Sequence, residues 1–146
     1  NWSEPSTLAR ELPRRRGMIA LAPELSHFTD EHSMTPFMMF GAKGAYSWFV
    51  NFNPKYMLDW YEDIPAGRWE EARLRQERMN GFIRAMHPLR GEGNLHGIVR
   101  KAMASVSPFL EGSANTRRPY LPVSQERIEQ FRRVVSEQFP DLVWNQ

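Results

Sequence analysis

The chain contains no cysteine. That absence removes disulfides, thiolate metal sites and cysteine nucleophiles together. It has no apolar run near the ~20 residues that a helical membrane span needs. It shows no signal-peptide pattern, because Asn1 to Arg16 is polar and carries proline. Neither sign of charge dominates: nineteen Lys and Arg face seventeen Asp and Glu, a net charge of +2. Arg14, Arg15 and Arg16 form one short basic cluster, which reads as a solvated helix end or loop rather than a nucleic-acid footprint. The spacing His27-x-x-Asp30-Glu31-His32 matches no metal-ligand pattern, so no metal is expected. Asn1-Trp2-Ser3 matches a glycosylation sequon, but nothing else suggests secretion. Neither nucleic acid nor membrane is an expected partner, and a cytoplasmic location is expected. No internal repeat or low-complexity tract is present.

What remains is the composition of an ordinary globular domain, with 41% hydrophobic and 25% charged residues over 146 positions. Ser3-Glu4-Pro5 reads as a helix start, and that helix is predicted to stop near Pro13. The apolar run Gly17 to Ala22 suits a buried strand of a parallel sheet. His27 to His32 reads as a polar loop. Ser33 is placed to cap a short helix carrying Phe37, Met38, Met39 and Phe40 and ending at Gly41. Gly44 to Val50 reads as a second buried strand. Asn53-Pro54 opens the next helix, a cap followed by proline at the first position, and Pro65 to Gly67 break it. Helix, strand, helix, strand, helix argues for an α/β fold with parallel strands.

Beyond Gly67 the pattern is helical. Trp69, Ala72, Met79, Phe82, Ile83 and Met86 recur on one stripe of a helix over Arg68 to Met86. Leu95 to Val106 is a second amphipathic stretch, and Pro108 to Pro122 is irregular. Ser124 caps a last helix with Ile128, Phe131, Val134 and Val135 on its buried face. Two parallel strands make no stable sheet alone, so upstream strands are expected.

Thr29-Asp30-Glu31 followed by Gly41-Ala42-Lys43-Gly44-Ala45-Tyr46-Ser47 resembles the seventh and eighth units of the dihydrodipicolinate synthase / N-acetylneuraminate lyase family. That family has a Gly-Asp-Asp-like corner and a Gly-Gly-x-Gly-x-Ile-Ser turn. Here Thr29 replaces the corner glycine, Ala42 the second glycine and Tyr46 the isoleucine. Asn53-Pro54, Ala66-Gly67-Arg68-Trp69-Glu70-Glu71-Ala72 and Arg117-Arg118-Pro119-Tyr120-Leu121-Pro122-Val123-Ser124 resemble further family segments in the same order. The resemblance implies the last two βα units of a (βα)8 TIM barrel over residues 1–66 and a C-terminal helical region over 67–146. It implies a Schiff-base lyase acting on pyruvate or a 2-oxo acid adduct: an aldolase, a hydratase-aldolase or a dehydratase. The lysine itself forms the imine, so no cofactor is expected. In the family this lysine lies on strand six, which the spacing puts at or just before Asn1. Lys43, Lys55 and Lys101 do not occupy that position. The partners implied are a small 2-oxo acid, an aldehyde and further copies of the chain, as a homotetramer.

Several residues are marked by the same resemblance. Tyr46 is either a packed strand residue or a substrate contact adding an aromatic face and a hydroxyl. Ser47 follows it in the motif. Thr29 and Asp30 sit at the barrel mouth, or cap the Ser33 helix. Asn94 and His96 fall where the helical region of some relatives reaches back over the mouth. His96 is the candidate proton carrier because its ordinary pKa lies near neutrality; a surface or structural histidine is the alternative. Trp48, Phe49, Phe52, Tyr56 and Trp60 are either core or a pocket edge for an aromatic aldehyde. Tyr46 and the Asn94–His96 loop tilt the reading towards the hydratase-aldolase branch. A catalytically inactive barrel relative with a regulatory or assembly role, and an independent helical interaction module, are the competing readings.

Overall fold

Pro13 does not end the first helix. In the computed structural model, which describes residues 5–86, 89, 96–110 and 112–144, helix α1 runs unbroken over Pro5–Leu21 with Pro13 inside it. The run Gly17 to Ala22, expected as a strand, is therefore the end of a helix and the residue beyond it. Its burial explains why. Leu12, Arg15 and Ile19 are half-buried at helical spacing, whereas Met18 and Leu21 are exposed. A six-residue apolar run is too short for periodicity to separate strand from helix.

The first strand lies later, where a polar loop was expected. β1 is Phe28–Asp30, and it pairs in parallel with β2, Gly44–Tyr46. The register sets Phe28 opposite Gly44, Thr29 opposite Ala45 and Asp30 opposite Tyr46. Between them α2, Met34–Met39, completes a βαβ unit, and Gly41 just beyond its end takes a φ of +103° that favours glycine. β2 is shorter than the predicted Gly44–Val50. Phe49–Asn51 turns instead into a 3-10 helix, with Phe52 N–H donating to the Phe49 carbonyl at 2.8 Å. Helix α3 is Pro54–Asp63, with the Asn53 Oδ1 accepting from the Tyr56 N–H at 2.9 Å as its cap. Then come α4, Trp69–Ala85; α5, His96–Ala104; and α6, Gln125–Gln138, capped as predicted by Ser124 accepting from the Arg127 N–H. The mixed α/β character and the parallel strands agree with the sequence, with both strands displaced or shortened.

The chain divides into two compact units, Asn1–Ser47 with Asp59–Asn80, and Trp48–Leu58 with Gly81–Gln146. The first is organised by a buried polar network. The Thr35 hydroxyl donates to the Ala72 carbonyl at 3.1 Å and accepts from Trp60 Nε1 at 2.8 Å. The Thr35 N–H donates to Gln76 Oε1 at 3.1 Å, and Gln76 Nε2 donates to the Glu31 carbonyl at 2.8 Å. Trp60 is fully buried and Met34 and Phe37 nearly so. Asp63, 4% exposed, takes Arg68 Nε at 2.7 Å and Arg75 Nε at 2.8 Å. Burial alone pushes its carboxyl up; the hydrogen bonds and charges of the two arginines outweigh that and hold it below the usual range.

The second unit is an aromatic core. The Phe82 ring lies 5.1 Å from Phe49, 5.4 Å from Phe52, 5.8 Å from Phe131 and 5.4 Å from Phe139. Polar contacts pin its periphery: Asn53 Nδ2 donates to the Leu142 carbonyl at 3.1 Å, and Ser107 Oγ to the Asn51 carbonyl at 2.8 Å.

Two stability predictions follow from the first unit. Thr35→Val keeps the shape but removes the hydrogen bonds from the buried Trp60 N–H and to the Ala72 carbonyl, and is expected to cost about 2 kcal/mol in urea unfolding. Asp63→Asn is expected to cost about 2 kcal/mol at pH 7, less than for a fully buried pair because Arg68 is half-exposed. The folded pKa of Asp63 is depressed, so its contribution is complete above the unfolded carboxylate value of about 3.9. It is lost as pH falls through the lower folded value. The difference between wild type and Asp63→Asn should therefore shrink only in acid.

Candidate functional site at the carboxyl ends of the strands

In open parallel sheets the carboxyl ends of the strands are where ligands bind. Here those ends carry a carboxylate and a phenol side by side. Asp30 and Tyr46 are register partners, so their side chains leave the sheet on the same face. Tyr46 is 76% exposed, and its ring packs on Phe28 at a centroid distance of 5.1 Å. It is thus an accessible aromatic face rather than a packed strand residue.

Asp30 is held from below and beside. Its Oδ1 accepts from the His32 N–H at 3.1 Å and from Ser33 Oγ at 3.3 Å. His32 Nδ1 stands 3.6 Å from the same oxygen. Ser33 has one hydroxyl proton, and giving it to Asp30 leaves Thr29 to donate to Ser33 across 3.1 Å. Arg15 Nη1 in turn reaches Thr29 Oγ1 at 3.5 Å. The donors then all point one way, from guanidinium through two hydroxyls to the carboxylate. Burial pushes the Asp30 carboxyl up, but the His32 hydrogen bond and charge, with the charge of Arg15, outweigh it and hold it below the usual range. The carboxylate is therefore ionised at neutral pH and can only accept hydrogen bonds.

This arrangement corrects one expectation. Ser33 occupies the position before α2, but its side chain makes no cap hydrogen bond; its hydroxyl serves Asp30 instead. Arg15 is not a solvated loop residue either. Its guanidinium lies 5.1 Å from the Phe37 ring centroid, and Arg16 stacks likewise on Phe40 at 5.3 Å. Sequence reading marked Thr29, Asp30, Tyr46 and Ser47 but passed over Phe28, His32, Ser33 and Arg15 as parts of the same cluster. The missed signal was the strand identity of Phe28–Asp30: once Phe28 and Asp30 alternate with Thr29, their shared face with Tyr46 follows.

Ser47 is half-buried immediately after β2. His96 is the first residue of α5 in the second unit, and its backbone alone is described; Asn94 lies outside the described residues. Phe49 and Phe52 are core residues of the second unit, and Trp60 is buried in the first, so these aromatics pack the interior. Lys43 precedes β2 on its amino side, Lys55 lies in α3, and Lys101 in α5 donates to the Asn115 carbonyl. None stands at the carboxyl end of a strand. Among the described residues no group of three His, Asp or Glu is placed to hold a metal, and no helix is long and apolar enough to cross a membrane.

His32→Ala removes the imidazole that helps hold the Asp30 carboxyl low. The Asp30 carboxyl resonance is expected to titrate at higher pH in that variant than in the wild type, followed by carbon-detected NMR.

The model of the dihydrodipicolinate synthetase family matches residues 20–138. Among solved structures the chain is similar to YagE of E. coli K12, a prophage protein of the dihydrodipicolinic acid synthase family crystallised with pyruvate. The TM-score is 0.68 at 18% identity, over 86% of this chain and 42% of that one. At this identity the likeness is one of fold, and the chain spans less than half the length of that relative. No curated protein matches the chain.

Proposed function

Since this chain belongs to the dihydrodipicolinate synthetase family, we propose that it forms the strand-seven and strand-eight side of a barrel lyase that cleaves or condenses 2-oxo acids through a lysine imine. The lysine lies upstream of residue 1, consistent with the placement of Lys43, Lys55 and Lys101 away from any strand's carboxyl end. In the cleavage direction its amine condenses with the keto carbon of the aldol adduct, a 4-hydroxy-2-oxo acid, and releases water. The imine then accepts the electron pair of the breaking carbon–carbon bond, so the lysine rather than a cofactor is the electron sink. The adduct's 4-hydroxyl gives up its proton as the aldehyde leaves, and the enamine takes a proton at carbon before hydrolysis releases pyruvate and returns the lysine. Subunits assemble as a homo-oligomer, a tetramer by resemblance.

The observation that carries this reading is the Asp30–Tyr46 pair across two parallel strands at their carboxyl ends. Asp30, fixed on one oxygen by His32 and Ser33, presents its carboxylate to a hydroxyl or water of the substrate adduct. Tyr46, exposed and backed by Phe28, offers a ring and a hydroxyl to the aldehyde half. Thr29 orients Asp30 through Ser33, and Ser47 follows Tyr46 into the site. The exposed Tyr46–Phe28 pair favours an aromatic aldehyde, and with it the hydratase-aldolase branch.

Borohydride reduction of the full-length protein with pyruvate should leave a pyruvate-sized adduct on one lysine upstream of Asn1, found by mass spectrometry. Absence of any adduct on folded protein would instead support the inactive-relative reading. Asp30→Asn should lower kcat/KM about 10- to 100-fold, as removal of one charge-assisted hydrogen bond implies. Because the Asp30 carboxyl is held low, its contribution to the rate should persist through neutral pH and fall away only below the ordinary carboxylate range.

A further inference from the structure

His32 stands in the corner between β1 and α2, and its two ring nitrogens have different surroundings. Nδ1 is buried and completes no hydrogen bond; Asp30 Oδ1 faces it at 3.6 Å. The side chain as a whole is 33% exposed, and Nε2, across the ring, has no partner among the described residues. A neutral imidazole carries one proton, on one nitrogen or the other. With the proton on Nε2, the buried Nδ1 lone pair would face a carboxylate, two acceptors with no donor between them, and a buried unsatisfied acceptor is costly. With the proton on Nδ1, the same approach is a charge-assisted contact that closes to hydrogen-bond length over roughly half an ångström. The His32 N–H already donates to the same Asp30 oxygen at 3.1 Å, so the carboxylate is tied to the residue whose ring it faces.

We propose that Asp30 and His32 form a dyad in which Asp30 fixes the Nδ1–H tautomer and the His32 Nε2 is the base that takes the hydroxyl proton of the substrate. This rests on the imine reading given above. In cleavage, Nε2 accepts the proton of the adduct's 4-hydroxyl. The O–H electron pair becomes the second bond of the aldehyde carbonyl, the carbon–carbon bond breaks, and its pair passes to the imine to leave the enamine. The imidazolium so formed lies beside Asp30, whose charge stabilises it, and it gives the proton back when the enamine is protonated at carbon. The division of roles is chemical. The Asp30 carboxyl, held below its usual range, is a poor base, whereas imidazole is the side chain whose ordinary titration lies nearest neutrality.

The tautomer is read directly in the full-length wild-type protein by long-range proton–nitrogen NMR of the histidine rings. A neutral His32 ring with the proton on Nδ1 is expected; a proton on Nε2 overturns the dyad, and this measurement needs no substrate. His32→Gln keeps a polar side chain and removes the base. Once circular dichroism establishes that it is folded, borohydride with pyruvate should trap its lysine adduct as in the wild type. Its kcat for cleaving the aldol adduct of pyruvate with benzaldehyde should fall at least about 100-fold, with KM changed less than about threefold. Added imidazole should restore part of kcat in His32→Gly, which a merely structural role would not allow. Cleavage undiminished in the folded His32→Gln protein overturns the proposal. Absence of a pyruvate adduct on the wild type is instead the failure of the imine reading.

Discussion

The Thr35 hydroxyl is the point from which the first unit is positioned. It is buried, it donates to Ala72 and it accepts from Trp60. A buried hydroxyl with both functions satisfied is directional, which apolar contact is not. Through the adjacent Thr35 N–H and Gln76 the same network reaches the carbonyl of Glu31. Glu31 is the residue after Asp30. The corner between β1 and α2 is thus fixed from the interior, and the Asp30 carboxylate inherits that fixed position. A core built only of Met34, Phe37 and Trp60 would bury comparable surface without specifying where the corner sits.

Two aspartates in this unit show how one device serves two ends. Asp63 and Asp30 are both partly desolvated carboxylates kept ionised by neighbouring cations and donors. Asp63 is closed off, with both oxygens taken by Arg68 and Arg75, so its charge is spent on joining the end of α3 to the start of α4. Asp30 is hydrogen-bonded on one oxygen by the His32 N–H and the Ser33 hydroxyl, and its side chain remains about a third exposed. The difference is geometric. Asp63 faces two guanidiniums across a turn, whereas Asp30 stands at the carboxyl end of β1 beside its own corner residues His32 and Ser33. The core of the second unit is built differently: its rings gather round Phe82 at edge and tilted angles, and polar contacts such as Asn53 to Leu142 lie at its rim.

Local chemistry that acts over three or four residues was readable in the sequence. Ser124 and Asn53 cap the helices that their positions announced, and Gly41 and Gly67 take the positive φ that glycine permits. The buried stripe of α4, from Ala72 through Met79 to Met86, followed its helical period, although Trp69 at its head is half-exposed. The parallel α/β reading rested on the alternation of helices and strands, with Gly17 to Ala22 taken as one of the strands, whereas the motif residues Thr29-Asp30 and Gly44-Ala45-Tyr46 lie on the two strands that form. Strand placement was not readable. Gly17 to Ala22 is more apolar than Phe28 to Asp30, yet the helix took the first and the sheet the second.

The physical reason lies in what each segment needs. A helix satisfies its backbone within itself, so caps, breakers and periodicity suffice to mark it, and those are properties of the sequence alone. A strand of three residues has no internal hydrogen bonds; it exists because Gly44–Tyr46 lies beside it in register. The donor order from Arg15 through Thr29 and Ser33 to Asp30 joins residues up to eighteen positions apart, and depends on α1 lying against that strand. The residue types at the site were therefore determined by the sequence, while the shared face of Asp30 and Tyr46 and the donor order that ends on Asp30 were decided by tertiary packing, which alone brings separate segments within hydrogen-bonding distance.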